Sequence, residues 1–247
     1  MKKSLFQVGS YRLRGRATVG TTEVNLNEAL LTTIWAALLP TAVALDLSSS
    51  SANDVDVTGS GARKVTIVGL DANYAEQTEE VALNGQTKVT STKTFLRVFE
   101  IYVSSCGSGF TNAGDIYAVK TTTGGTYTAG VPGTLTSLIC KVLVGVSVGY
   151  TGMVTIPAGV NANLDIVSAS CRGQAASVII VLHQPAATDK TTYQFWKFEL
   201  ATGQVLADFH DNPVLIVPEK TDVIVRAVGA AAGAIIDVNA ELSRTRG

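Results

Sequence analysis

The stretch 62–85, ARKVTIVGLDANYAEQTEEVALNG, decides the fold class. ARKVTIVGL is rich in β-branched apolar residues and reads as a strand. DANY has turn chemistry, and EEVALNG is the next strand. It ends in Asn84-Gly85, a type I′ hairpin signal because both positions tolerate φ > 0. Two strands joined by a turn, with no room for a helix between them, point to an antiparallel sheet.

Working outward, the pattern persists. TFLRVFEIYV (94–103) is a long strand with Phe95, Arg97, Phe99, Ile101 and Val103 on one face. Leu96, Val98 and Tyr102 make its other face apolar, so both faces are expected to be covered. TTTGGTYTAGVPG (121–133) is loop-like, and LICKVLVGVSV (138–148) reads as a strand. ASVIIVLHQ, TYQFWKFEL and PVLIVPEKTDVIVRAVG follow. AIIDVNAELSR (234–244) alternates cleanly: Ile236, Val238, Ala240 and Leu242 point inward, and Asp237, Asn239, Glu241 and Ser243 point outward. Turn signals recur about every 8–12 residues, as in an antiparallel sandwich or jelly roll. Long helices do not alternate with the strands, which excludes a parallel α/β sheet.

The expected architecture is therefore all-β. Two antiparallel β-sandwich or jelly-roll-like domains span 43–130 and 131–247, with the boundary in the 121–133 loop. Residues 1–42 form a basic arm and a short helical lead-in over Asn27 to Leu39, where apolar residues recur at helical spacing. The run ALLTTIWAALLPTAVAL (29–45) imitates a secretory signal with an A-x-A site. Twelve residues, including Glu23 and Glu28, separate Arg16 from Ala29, whereas a signal peptide abuts its basic region directly on the apolar core. The run is read as part of the fold, with Ala42-Val43-Ala44 opening the first strand.

The 247 residues carry 19 Lys and Arg against 20 Asp and Glu, a net charge of −1, so there is no global footprint for nucleic acid or an anionic membrane. Charged residues are only 16%, low for a solitary soluble chain, which points to surface covered by other subunits. The exception is the N-terminus, where Lys2, Lys3, Arg12, Arg14 and Arg16 precede the first acid, Glu23. These five are the candidate partner-binding residues, on an arm that would dock on an acidic neighbour or packaged nucleic acid. The three cysteines, Cys106, Cys140 and Cys171, are odd in number and far apart, which argues against a secreted disulfide framework.

Chemistry is sparse. His183 ends an apolar strand. Asp208, His210 and Asp211 sit together in ADFHDNP, a pattern that a polar turn explains as well as a cation site does. NDVDVTGSG imitates a calcium loop, but its twelfth position is Val65 where a bidentate Glu is needed. No nucleophile elbow or phosphate cradle is present. No catalytic residue, metal ligand or cofactor is assigned. Trp196 and Tyr127 are the candidates for stacking on a glycan.

Several phrases are specific enough to carry a resemblance. GSGARKV (59–65), GLDANY (69–74), VALNG (81–85), TFLRV (94–98) and NAGDI (112–116) resemble the recurring phrases of a family of virion structural proteins of tailed bacteriophages, many of them marine. VTIPAG (154–159) and VPEKTDVIVRAVG (217–229) resemble later phrases of the same family. The resemblance is dense over 48–116 and looser beyond, and the basic N-terminus lies outside it. It implies a non-enzymatic protein assembled in many copies in the virion, in the host cytoplasm, most simply a capsid decoration or cement subunit. Its partners would be other copies of itself and the major capsid protein or neighbouring virion proteins, with no small-molecule substrate and no membrane. The alternatives are a shell subunit built as a double jelly roll, or a neck, tail or fibre protein that recognises host glycans.

Overall fold

Residues 10–19, SYRLRGRATV, alternate between buried and exposed side chains and form the first strand, β1 (Ser10–Val19). This is the first difference from the sequence reading, which placed these residues in a basic arm ahead of the first strand. Tyr11, Leu13, Ala17 and Val19 are buried, and Arg12, Arg14 and Arg16 face solvent. The charges occupy only the outward positions of a two-residue period, so they and the strand are compatible. The computed structural model describes residues 10–26, 40–184, 192–209 and 216–245. The expected helix over 27–39, along with Lys2 and Lys3, lies outside the described residues.

After β2 (Val24–Asn25) the chain enters ten strands: β3 (Leu45–Ser49), β4 (Ala62–Leu70), β5 (Glu76–Ala82), β6 (Val89–Thr90), β7 (Arg97–Cys106), β8 (Ile116–Lys120), β9 (Tyr127–Thr128), β10 (Val131–Pro132), β11 (Leu138–Val142) and β12 (Val148–Tyr150). Eight more follow: β13 (Met153–Thr155), β14 (Asn161–Arg172), β15 (Ala176–His183), β16 (Thr192–Leu200), β17 (Val205–Phe209), β18 (Ile216–Val217), β19 (Asp222–Gly229) and β20 (Ala234–Thr245). All the pairings between them are antiparallel.

Packing groups these strands into two units. A split unit comprises residues 1–32 and 152–247, and an inserted unit comprises 33–151. The sequence reading put its boundary in the 121–133 loop instead. That loop lies inside the inserted unit, where β9 and β10 form a small hairpin. Strand β1 pairs along its whole length with β20, Ser10 opposite Ser243 through Val19 opposite Ala234.

The split unit has sheets in the order β1-β20-β14-β17 and β13-β19-β15-β16, with β18 added on β14 and β2 on β19. Counted in chain order, its eight main strands lie 1-8-3-6 and 2-7-4-5, the connectivity of a jelly roll. Its core is built from inward residues of both sheets, among them Leu13, Val167, Ile236 and Leu242 from one and Val178, Ile180, Val223 and Val225 from the other. The inserted unit has sheets β11-β8-β3-β6 and β12-β7-β4-β5. Counted from β11, these too lie 1-8-3-6 and 2-7-4-5, so the inserted unit is the same jelly roll entered at its third strand. Leu45, Leu47, Ile116, Ala118 and Val142 from one sheet close on Val65, Ile67, Val98, Ile101 and Val103 from the other.

Two local expectations change. Asn84-Gly85 does form a tight turn, with the Thr87 amide donating to the Asn84 carbonyl at 3.0 Å. Only Gly85 has positive φ (+57°), and it occupies the first central position, the sign pattern of a II′ rather than a I′ turn. The stretch 138–148 is not one strand. It breaks at Leu143–Ser147, where Gly145 (φ +76°) and Ser147 (φ +64°) reverse the chain between β11 and β12.

Candidate functional site

Of the phrases singled out in the sequence, GLDANY and TFLRV lie at one end of the inserted unit, and GSGARKV, VALNG and NAGDI lie at the other. Three turns meet there: 50–61 between β3 and β4, 107–115 between β7 and β8, and 143–147 between β11 and β12. The start of β3 and the end of β12 lie at the opposite end of the unit.

Asp54, fully buried, ties the first two turns together. Its Oδ1 accepts the amides of Ala62 (2.6 Å) and Ala113 (2.8 Å), and its Oδ2 accepts the Gly114 amide (2.9 Å) and the Ser49 hydroxyl (2.5 Å). A carboxylate surrounded by N–H and O–H donors is consumed as an acceptor, so the calcium-like spacing of NDVDVTGSG serves the fold. Gly61 is required by this contact, because a Cβ there would lie 2.1 Å from Asp54 Oδ1.

Asn112, also buried, ties the second turn to the third. Its Nδ2 donates to the carbonyls of Gly114 and Leu143, both at 2.8 Å, and its Oδ1 accepts the Ser147 amide at 3.1 Å. Asp115 accepts the Val144 amide (2.9 Å) and pairs with Lys141 (2.7 Å). Burial pushes the Asp115 carboxyl up, but Lys141, the Val144 amide and Tyr117 outweigh it and hold it below the usual carboxylate range. Further bonds run from the Gly109 amide to Ser60 and from the Gly145 amide to Asn112. The three turns are thus one cross-linked body.

That body displays apolar side chains to solvent. Of the eight large hydrophobic residues exposed among the described residues, five lie on these turns: Val57, Phe110, Leu143, Val144 and Val146. Phe110 is 86% exposed and Val57 75%. Both have positive φ (+60° and +69°), which is costly for a bulky or β-branched residue and persists only where the surroundings fix it. Sequence reasoning missed this surface because GSGF was read as a turn and LVGVS as strand interior. The signal was Gly145 inside an apparent strand.

The sequence-predicted candidates lie elsewhere. Arg12, Arg14 and Arg16 stand opposite Glu241, Asn239 and Asp237 of β20. Arg16 pairs with Asp237 at 3.2 Å, Arg12 approaches Glu241 at 3.9 Å, and Arg14 Nε donates to Asn239 Oδ1 at 3.2 Å. Arg172 adds a second contact to Asp237 at 3.3 Å. The arginines form an outward ladder partnered within the chain, rather than a free basic arm.

Trp196 belongs to the split unit and Tyr127 to the inserted unit. Trp196 is half-buried on β16 against Phe198, their centroids 5.4 Å apart at 56°. Tyr127 lies in the inserted unit with Lys88 Nζ 5.7 Å from its ring centroid. Its hydroxyl is buried with no hydrogen-bond partner among the described residues. Burial, and secondarily the Asp46 carboxylate, push it up to about 12.

His183, at the end of β15, stands opposite Asp222 of β19, with Nδ1 3.1 Å from Oδ2. Asp222 is buried, and its Oδ1 accepts the Thr155 hydroxyl at 2.6 Å. This trio spans three strands of one sheet and holds them in register. Asp208 lies on β17 opposite Val167, while His210 and Asp211 lie outside the described residues. Among the described residues no group of three or more His, Cys, Asp or Glu is placed to hold a metal ion. Cys140 and Cys171 are buried and Cys106 half-buried, all as free thiols.

No family model and no curated protein matches the chain. Solved structures of infectious bursal disease virus overlap it weakly. The Gx strain structure is 10% identical over 96% of this chain and 72% of the other, with a TM-score of 0.22. The Gt strain structure is 10% identical over 96% and 81%, with a TM-score of 0.12. Overlaps this low leave the assignment of fold to the strand connectivity itself, which is that of two jelly rolls, one inserted between the first and second main strands of the other.

Proposed function

We propose that the chain is a non-enzymatic structural protein of a bacteriophage virion, present in many copies and attached to the capsid as a decoration or cement subunit. The observation that carries this reading is the repeated jelly-roll connectivity, an architecture used for building shells and for lectin-like binding. The joined turns of its inserted unit are spent on buried polar hubs. The phrases that resemble tailed-phage virion proteins gain a physical reason in these hubs, since Asp54, Gly61, Asn112 and Gly114 build the joined turns. Attachment would come from apolar and sheet-edge surface buried between copies or against the major capsid protein, on interfaces of at least about 1,000 Å².

A second reading has a specific observation behind it. Two jelly rolls in one chain suit a shell subunit as well as a decoration subunit, and copy number separates the two. Quantitative mass spectrometry of purified virions should find this chain in many copies, below the major capsid protein for a decoration subunit. A chain more abundant than every other protein would make it the shell itself. Its absence from purified particles would overturn both.

A further inference from the structure

We propose that the joined turns of the inserted unit are a self-association surface, on which a second copy of this chain docks tip to tip. The inference rests on the reading of the protein as a many-copy assembly component, and it names the contact. Phe110, Val57, Leu143, Val144 and Val146 are exposed on turns that Asp54 and Asn112 lock to one another. Their exposed area is about 500 Å² per copy, at the upper end of what a solitary soluble protein leaves in one patch.

Charge selects the occupant. No charged residue occurs between Glu100 and Asp115 or between Lys141 and Asp165. Lys141 is spent on Asp115 at 2.7 Å. The other charges on the turns and their flanks are Asp54, Asp56, Arg63, Lys64 and, on the adjoining 83–88 turn, Lys88; Lys64 pairs with Glu80 at 3.2 Å and Lys88 with Asp46 at 2.6 Å. Asp54 is buried; Asp56 accepts the Val57 amide at 2.9 Å, and Arg63 donates to the Gly59 carbonyl at 3.0 Å. With no surplus of positive charge, nothing there attracts an anionic lipid surface or nucleic acid. A second identical tip meets this one without stacking like charges in its centre, as a twofold contact requires. Two tips together bury about 1,000 Å², the lower bound of a specific interface. Such a contact is weak in an isolated pair and becomes strong when repeated around a particle. Rigid turns reduce the ordering cost of forming it.

The test is sedimentation equilibrium of the full-length protein over a concentration series reaching several hundred micromolar. Wild type should show reversible mass growth. The double variant Phe110→Ser/Val144→Ser should raise the dissociation constant about tenfold or more, with an unchanged melting temperature because both side chains are exposed. Val205→Ser, which alters an equally exposed valine of the split unit, should leave it unchanged. Phe110→Cys should give disulfide-linked pairs under mild oxidation. Association that survives the double variant undiminished overturns the tip contact and leaves the many-copy reading standing. A wild type that stays monomeric throughout also overturns it, in favour of a lipid surface if the protein floats with phosphatidylcholine vesicles. The many-copy reading itself is decided separately, by the presence of the chain in virions.

Discussion

The two units share one connectivity and specify it by different means. In the split unit long strands do the specifying: β14 and β20 each run twelve residues, their inward positions apolar and their outward ones polar apart from Ile166 and Ile235. In the inserted unit much of the specification sits in the turns, where Asp54, Asn112 and Asp115 accept or donate bonds from segments far apart in sequence. A strand pattern tolerates exchange among Val, Ile and Leu, whereas a buried carboxylate with four donors tolerates almost nothing.

The comparison breaks most visibly at β1. If residues 10–19 are the first strand of the split unit, deleting residues 1–19 removes one edge of a sheet and four core side chains. The protein should then lose cooperative unfolding of that unit, seen as collapsed amide-exchange protection in β14 and β20. Leu13→Ala, a milder form, should cost about 2–5 kcal/mol in chemical denaturation. A solvated arm would lose nothing from either change. The next largest effect belongs to the inserted unit. Asp54→Ala leaves three amides and a hydroxyl without an acceptor and should cost about 4 kcal/mol, since each buried orphan costs about 1–3 kcal/mol. Ser49→Ala leaves Asp54 its three amide donors and should cost only about 1 kcal/mol. Equal losses in the two variants would mean that Asp54 is not the hub.

How much of this was legible follows from the same contrast. The strands of both units could be read because burial on a sheet leaves a local period in the sequence. The final strand alternates as expected, and TFLRVFEIYV is buried on both faces over Arg97–Ile101. β1 has the same period, with Tyr11, Leu13, Ala17 and Val19 inward, but the row of arginines drew the eye to charge instead. The insertion could not be read, because β1 and β20 are partners across almost the whole chain and nothing local records that pairing. The 121–133 loop has the composition of a linker and is an excursion within one unit. The apolar tip was hidden because exposure is decided by which turns meet, and that depends on the hubs.

Acid should separate the units next. Burial pushes the Asp46 carboxyl up, but hydrogen bonds from Lys88, Thr90 and Thr121 and the Lys88 charge outweigh it, so it titrates below its ordinary value of 3.8. Asp115 is shifted the same way. A carboxyl whose folded pKa is lowered stabilises the fold fully above the unfolded value, and the contribution is lost as pH falls through the folded one. Inserted-unit stability should therefore hold at pH 5 and decline from about pH 4 downward. In the split unit Glu199 is also lowered, by the Ser177 hydroxyl and then Lys197, but it is largely exposed and solvent screens its contribution. Amide exchange between pH 5 and pH 2.5 should show β3 and β8 losing protection before β15 and β19. Thr121→Val should move that loss to higher pH, and simultaneous loss in both units would count against the contrast.

The smallest effect is the most informative about function. Arg16 and Asp237 stand 3.2 Å apart on exposed neighbouring strands, and Asp237 keeps Arg172 if Arg16 is removed. Exposed pairs of this kind contribute about 0–1 kcal/mol, so Arg16→Ala should change stability by no more than about 0.5 kcal/mol. Arg14→Ala, which removes an exposed side chain bonded to Asn239, should also cost no more than about 1 kcal/mol. Raising the salt concentration should likewise move the melting temperature little. Because the ladder contributes so little to folding, the two arginines can be removed without disturbing the strand that carries them. A triple variant Arg12→Ala/Arg14→Ala/Arg16→Ala that folds normally yet fails to bind particles would place an acidic partner on this face. Normal binding would leave the ladder as the solvent face of an edge strand, its row of like charges discouraging a second copy from pairing there.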